Sequence, residues 1–159
     1  MTAALEVLHA DASLVLGQSG PLMIAVWWDA PSAAQMDVIG RASARILREW
    51  GSQRGFAQFV LAGTPRFSAE VRKKANEQTK LYAGQATAHV VEVGGLTGSA
   101  TRAFLSALIL LTQRDKPIKV FSAPADAALW LAEKLGGAPQ RWSARRILTL
   151  RDQAVSARA

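Results

Sequence analysis

The chain has no cysteine among its 159 residues. Disulfides, thiolate metal sites and thiol nucleophiles are thereby excluded, and the composition fits a cytoplasmic protein. Histidine is nearly as scarce, with only His9 and His89, so imidazole-based metal sites and acid–base pairs have few starting points. Neither H-E-x-x-H nor G-x-S-x-G occurs, and no serine can be given a histidine and an aspartate partner from spacing. A triad dispersed along the chain stays open as the enzymatic alternative. Long apolar runs are also missing. The stretch from Ala103 to Leu111 contains Ser106 and is far too short to span a bilayer, and the first residues lack the basic and apolar regions of a secretion signal. We expect a soluble protein with no transmembrane segment, no catalytic residue, no cofactor and no bound metal.

Basic charge is absent from the first 40 residues, which contain Glu6, Asp11, Asp29 and Asp37. Residues 41–159 consequently hold all 19 lysines and arginines against 8 acidic groups, and the net charge is +7. Such a field favours an acidic partner or acts simply to keep the protein in solution. Nothing resembles a helix-turn-helix or an aromatic RNA-binding strand, so no specific nucleic acid is expected.

The length suits one domain spanning 1–159, with a core at about 10–137 and a basic C-terminal extension at 138–159. The most informative segment runs from His89 to Leu111. A short apolar strand, a glycine-rich turn and an almost wholly apolar helix together read as a buried βα unit. Before it, Leu14 to Leu16 and Leu22 to Trp28 read as a hairpin with a five-residue loop. Pro31 opens a helix from Ser32 to Trp50 with an apolar stripe of Met36, Ile39, Ala42, Ile46 and Trp50. Phe56 to Leu61 is a strand followed by a polar helix from about Ser68 to Tyr82. After the apolar unit come a strand at Ile118 to Phe121 and a helix at Pro124 to Leu135. The first ten residues read as frayed, and the tail from Trp142 reads equally as helix or strand. The expected fold is α/β, a mixed four- to five-stranded sheet covered by about four helices, with the strand around Ala88 to Val93 near its centre.

This order of parts resembles the STAS family of anti-sigma-factor antagonists, especially the bacterial STAS/SEC14-like proteins. The resemblance lies in Trp27-Trp28-Asp29-Ala30-Pro31 at a strand end, in HVVEV leading into GGLTGSATRAF, and in the closing FSAPADAALWLAEKLGG. It implies a non-enzymatic regulatory module that binds a partner protein, with a small-ligand or lipid-binding module as the alternative. The family's phosphorylation switch sits at the helix start after a central strand. Here the matching segment, Ala62 to Ser68, lacks the usual Asp and Gly. Ser68 and Thr64 are the candidate phosphoacceptors, with Arg66 and Arg72 placed to assist a phosphate at the helix N-terminus; either residue can equally serve as a plain cap.

Other residues point to a partner surface. Trp27 and Trp28 must face opposite ways on a strand, so one is a candidate anchor, Trp27 if its face is uncovered. A helical wheel that turns Ala100, Phe104, Ala107 and Leu111 to the sheet leaves Leu105 and Ile109 outside near Arg102, where a homodimer partner, another protein or the C-terminal tail would cover them. Gly94-Gly95-Leu96-Thr97-Gly98 is neither a P-loop nor a dinucleotide fingerprint, and a tight turn explains its glycines. Arg41, Arg45 and Arg48 recur opposite the apolar stripe of the first long helix. Replacing all three by Gln is expected to leave the melting temperature nearly unchanged and to weaken capture of an acidic partner, most visibly at low salt. Equal capture at low salt would make them merely solubilising.

Overall fold

The structure, a computed structural model, describes residues 4–63, 67–82, 84–112, 117–136 and 141–159, and of 107–112 the backbone alone. Among the described residues six strands form one mixed sheet in the order of the chain: β1 (Glu6–Ala10), β2 (Leu14–Ser19), β3 (Leu22–Trp27), β4 (Gly55–Val60), β5 (Ala86–Val91) and β6 (Ile118–Phe121). The first three pair antiparallel, whereas β3 to β6 are parallel. The expected α/β class and mixed sheet hold, with one more strand than the upper bound.

That extra strand is β1, in the segment read as frayed. Its residues are mostly exposed and do not alternate cleanly, and a bulge falls between Val7 and His9, so it carries little of the strand signature. The hairpin is also tighter than expected. Ser19 pairs directly with Leu22, and Gly20 takes φ +55 in the two-residue turn. Gly17, Gln18 and Ser19 look like loop residues but continue β2 in buried positions.

Five α-helices among the described residues cover the sheet: α1 (Ala33–Trp50), α2 (Ala69–Glu77), α3 (Gly95–Thr112), α4 (Pro124–Lys134) and α5 (Ala144–Ser156). A 3-10 turn, Thr79–Tyr82, comes after α2 where one continuous helix was expected. Ser32 caps α1 in a reciprocal box with Gln35, so Pro31 lies before the cap rather than inside the helix. Because β3, β4, β5 and β6 step in one direction, right-handed crossovers place α1, α2 and α3 on one face. Met36, Ile39 and Ile46 of α1 there meet Leu14, Leu16, Met23, Trp27 and Phe56, with Val71 of α2. On the other face Ala127, Ala128 and Leu131 of α4 and Ile147, Leu150 and Ala154 of α5 pack on Val15, Ile24, Val26, Phe59 and Val90.

The C-terminal segment is therefore a helix inside the core, not an extension beyond residue 137. It packs on α4, β3 and β2, so it does not cover α3. Arg151 ties it to the sheet, its Nε donating to Glu92 Oε2 at 3.2 Å while Nη2 meets Oε1, with both side chains largely buried. The centre of the sheet is also displaced from expectation: β3 and β4 are the middle pair, and β5 lies one strand in from the β6 edge. Leu150 is 1% exposed between α5 and the sheet. Leu150→Ala is expected to lower the free energy of unfolding by about 2–5 kcal/mol in a urea titration, as for other fully buried leucines. A change within a few tenths would contradict the placement of α5 in the core.

Candidate functional site

The parallel strands end on one edge of the sheet, and the connections from β4 to α2 and from β5 to α3 leave from it. Open α/β sheets collect their functional groups at this edge, because each strand there turns into a helix N-terminus. Ser68 is the N-cap of α2: its Oγ accepts from Val71 N at 3.1 Å, and the residue is exposed. Arg72, also exposed, comes one turn later, while Glu70 in the first turn opposes an added negative charge. Thr64 and Arg66 lie outside the described residues.

Phe67, just before this cap, stacks on Phe104 of α3 with ring centroids 5.9 Å apart and planes inclined by 22°. Phe104 keeps 42% of its surface exposed, and Leu96, in the first turn of α3, keeps 89%. Ala100 and Ala103 between them are exposed as well. Leu96, Ala100, Ala103 and Phe104 therefore form one apolar stripe in water along α3.

This orientation corrects the helical wheel. Gly98, Thr101 and Leu105 face inward, with Leu105 only 9% exposed, whereas Ala100 and Phe104 face out. Leu105 is therefore not an outer partner residue, and the side chain of Ile109 lies outside the described residues. The helix is turned by its start. A Cβ on Gly98 would stand 1.7 Å from the carbonyl oxygen of Val93, so only glycine lets the first turn pack against the strand end. Gly95, at φ +67, makes the reversal. Arg102 is half-buried; its Nη1 donates to Val91 O at 3.2 Å and its Nη2 to Ser99 Oγ at 3.3 Å, so it clamps α3 to β5 instead of standing free.

Trp27 is likewise not an anchor. It is 5% exposed, and its indole N–H donates to Gln58 Oε1 at 3.1 Å beneath α1. Trp28 packs on the opposite face with Arg158 4.6 Å above its ring. The arginines of α1 differ among themselves. Arg41 and Arg48 are exposed, but Arg45 Nε donates to Glu49 Oε1 at 3.0 Å and Nη2 to Glu6 Oε2 at 3.2 Å. Two carboxylates thus offset its charge, and among the described residues Arg41 and Arg48 are the members left facing solvent without a carboxylate neighbour of this kind.

The tertiary structure also gathers a histidine, an aspartate and a serine that spacing did not join. His9 Nε2 lies 2.7 Å from Asp11 Oδ2, and Ser13 Oγ donates to Asp11 Oδ1 at 3.1 Å. A serine nucleophile needs the imidazole between itself and the carboxylate, and here the carboxylate is in the middle. The trio instead organises the β1–β2 turn. The amides of Ser13 and Leu14 donate to Oδ1 at 2.7 and 2.8 Å, and Gln35 Nε2 to Oδ2 at 3.0 Å, tying the turn to the start of α1. His89 and Glu92 remain on opposite faces, as strand alternation requires, with Glu92 paired to Arg151. No group of three or more His, Asp or Glu suited to a metal ion occurs among the described residues, and no helix there is long and apolar enough to cross a membrane. Comparison of the chain with protein-family models, curated proteins and solved structures finds no match.

Partial burial opposes the charge on Asp11, but the bonds from His9, Gln35, Ser13 and Leu14 outweigh it and hold the carboxyl well below its ordinary range. A depressed folded-state pKa adds stability that is complete above the unfolded value of about 3.9 and is lost as pH falls below it. Asp11→Asn is therefore expected to lower urea stability at pH 7, with the gap to wild type narrowing below about pH 4. A gap that stays constant from pH 7 to 3 would remove the carboxylate from this role.

Proposed function

We propose that the chain is a non-enzymatic regulatory domain, acting in the cytoplasm, that binds a protein partner as the STAS anti-sigma-factor antagonists do. The observation that carries this reading is the exposed stripe Leu96, Ala100, Ala103 and Phe104, joined through the Phe67 stack to the exposed cap Ser68. A contiguous apolar strip in water favours burial against another surface. An adjacent serine that already caps a helix offers a place to regulate that burial, because a phosphate there meets free N–H groups and the positive helix end. The strand hairpin followed by βα units supports the family resemblance in the order of its parts. Arg41 and Arg48 on α1 favour an acidic partner and contribute chiefly to encounter rate.

The test compares wild type, Leu96→Asp, Phe104→Asp and Ser68→Asp as immobilised baits in extract of the native cells, with thermal melting of each as a folding control. The two aspartates on the stripe are expected to lose a partner that wild type retains, and Ser68→Asp to change its retention. Sedimentation of the purified chain identifies a second copy as that partner if Leu96→Asp shifts a dimer to monomer. Identical capture and identical sedimentation by well-folded variants would overturn the reading.

A further inference from the structure

Where Phe67 stacks on Phe104, the start of α2 meets α3, and the charges of α2 are divided between its two flanks. Val71 is buried against the sheet, while Lys74 Nζ donates to Asp37 Oδ1 at 2.7 Å and Gln78 Nε2 donates to Met36 O at 2.8 Å, so one flank is turned to α1. Helical spacing puts Glu70 and Glu77 on that same flank, close enough for their charges to act on Lys74. Arg72 is about 200° round the helix from Lys74, on the flank turned to α3. It is exposed and makes no ion pair among the described residues. The other members of its flank, Ala69 and Asn76, are exposed and uncharged.

The α3 side of this junction is apolar. Leu96, Ala100, Ala103 and Phe104 run along about 12 Å of a helix whose sequence contains no acidic residue. A helix has already paired its interior backbone N–H and C=O groups, so a strand added through backbone bonds finds nothing to bind there. Such a stripe accepts a second row of side chains, and an amphipathic helix with apolar residues three and four apart meets two turns of α3 at matching spacing. A second copy fits poorly. Each copy carries +7, and a two-fold contact across the stripe brings Arg72 of both copies to one interface, where neither α3 nor the adjoining flank of α2 holds a carboxylate. Four side chains also fall well short of the roughly 20–30 residues a side of a stable interface, so selectivity must come from a charge opposite Arg72.

We propose that the α3 stripe takes an amphipathic helix of a second protein, its apolar side chains against Leu96, Ala100 and Phe104 and an acidic residue on the flank that meets Arg72. This rests on the reading of the stripe as a protein-binding surface and adds the chemistry of what binds. The apolar contacts hold the complex together, and the Arg72 pair sets which way round the helix lies and which helices are refused.

The probes are three end-blocked helical peptides of about 16 residues. The first has a leucine stripe flanked by glutamates, the second has lysines in place of the glutamates, and the third keeps the glutamates but has glutamines in place of the leucines. Each is titrated into the isotope-labelled full chain and followed through the backbone amides of α2 and α3. The acidic peptide is expected to move Arg72, Leu96, Ala100 and Phe104 saturably, with a dissociation constant on the order of 0.1–1 mM for so small a surface. At low salt the lysine peptide is expected to bind roughly tenfold more weakly or worse, and the glutamine peptide to give no saturable response. Arg72→Gln, an exposed change that leaves the melting temperature unaltered, should weaken the acidic peptide about two- to fivefold at low salt, with the difference shrinking near 0.5 M salt. Leu96→Asp should abolish its binding. Equal affinity for the acidic and lysine peptides, shifts centred on Arg41 and Arg48, or dimerisation through the stripe would overturn the proposal. So would sedimentation with phosphatidylglycerol vesicles that depends on Leu96 while the peptides give no response, which makes the occupant a lipid surface. If the peptides fail but Leu96→Asp still loses a protein captured from cell extract, the helix assignment alone falls; identical capture by Leu96→Asp removes the reading beneath it.

Discussion

The handedness of three consecutive crossovers governs the rest of this molecule. Each step from β3 to β4, β5 and β6 moves the same way across the sheet, so right-handed connections bring α1, α2 and α3 to one face. The opposite face, with Ile24, Val26, Ala57, Phe59, Ala88 and Val90, would be left to water by those helices alone. Residues C-terminal to β6 supply the helices that cover it. That is why α4 and the arginine-rich α5 are structural, and why Ile147, Leu150 and Ala154 occur at helical spacing among charged residues.

The same constraint shapes the candidate site. Three helices share one face of a six-stranded sheet, with α1 against β2 and β3 and α3 over β5 and β6. At the outer side, α3 turns Gly98, Thr101 and Leu105 inward, which places Leu96 and Phe104 in solvent. The apolar external stripe is thus a consequence of this packing arrangement.

Polar side chains make the joints between these layers. Asp11 binds the first hairpin turn to α1 through Gln35, Glu92 binds the end of β5 to α5 through Arg151, and Arg102 binds α3 to β5. Each joins elements that are distant in sequence or differently oriented, so geometry as well as apolar burial is specified. A partly buried charge is retained in such places because its partners replace the lost water. Arg45 differs: its pairs with Glu6 and Glu49 are exposed, and their effect is to reduce the positive field of α1 rather than to hold the fold.

The sequence by itself determined those features whose cause is local. Apolar β-rich runs placed β3 to β6, the Ser68 cap placed the start of α2, and alternation put Trp27 and Trp28, and His89 and Glu92, on opposite faces. It did not reveal β1, because an exposed edge strand with a bulge has neither alternation nor a continuous apolar run. It mistook Gly17 to Ser19 for loop, since their burial comes from strands and helices on either side. For α3, whose residues are apolar nearly all round, the wheel had no polar face to orient it, and close packing at Gly98 decided the rotation. The tertiary structure alone likewise decided that Trp27 is buried and that the tail completes the core. Each of these depends on what lies opposite a residue, and local periodicity carries no record of that.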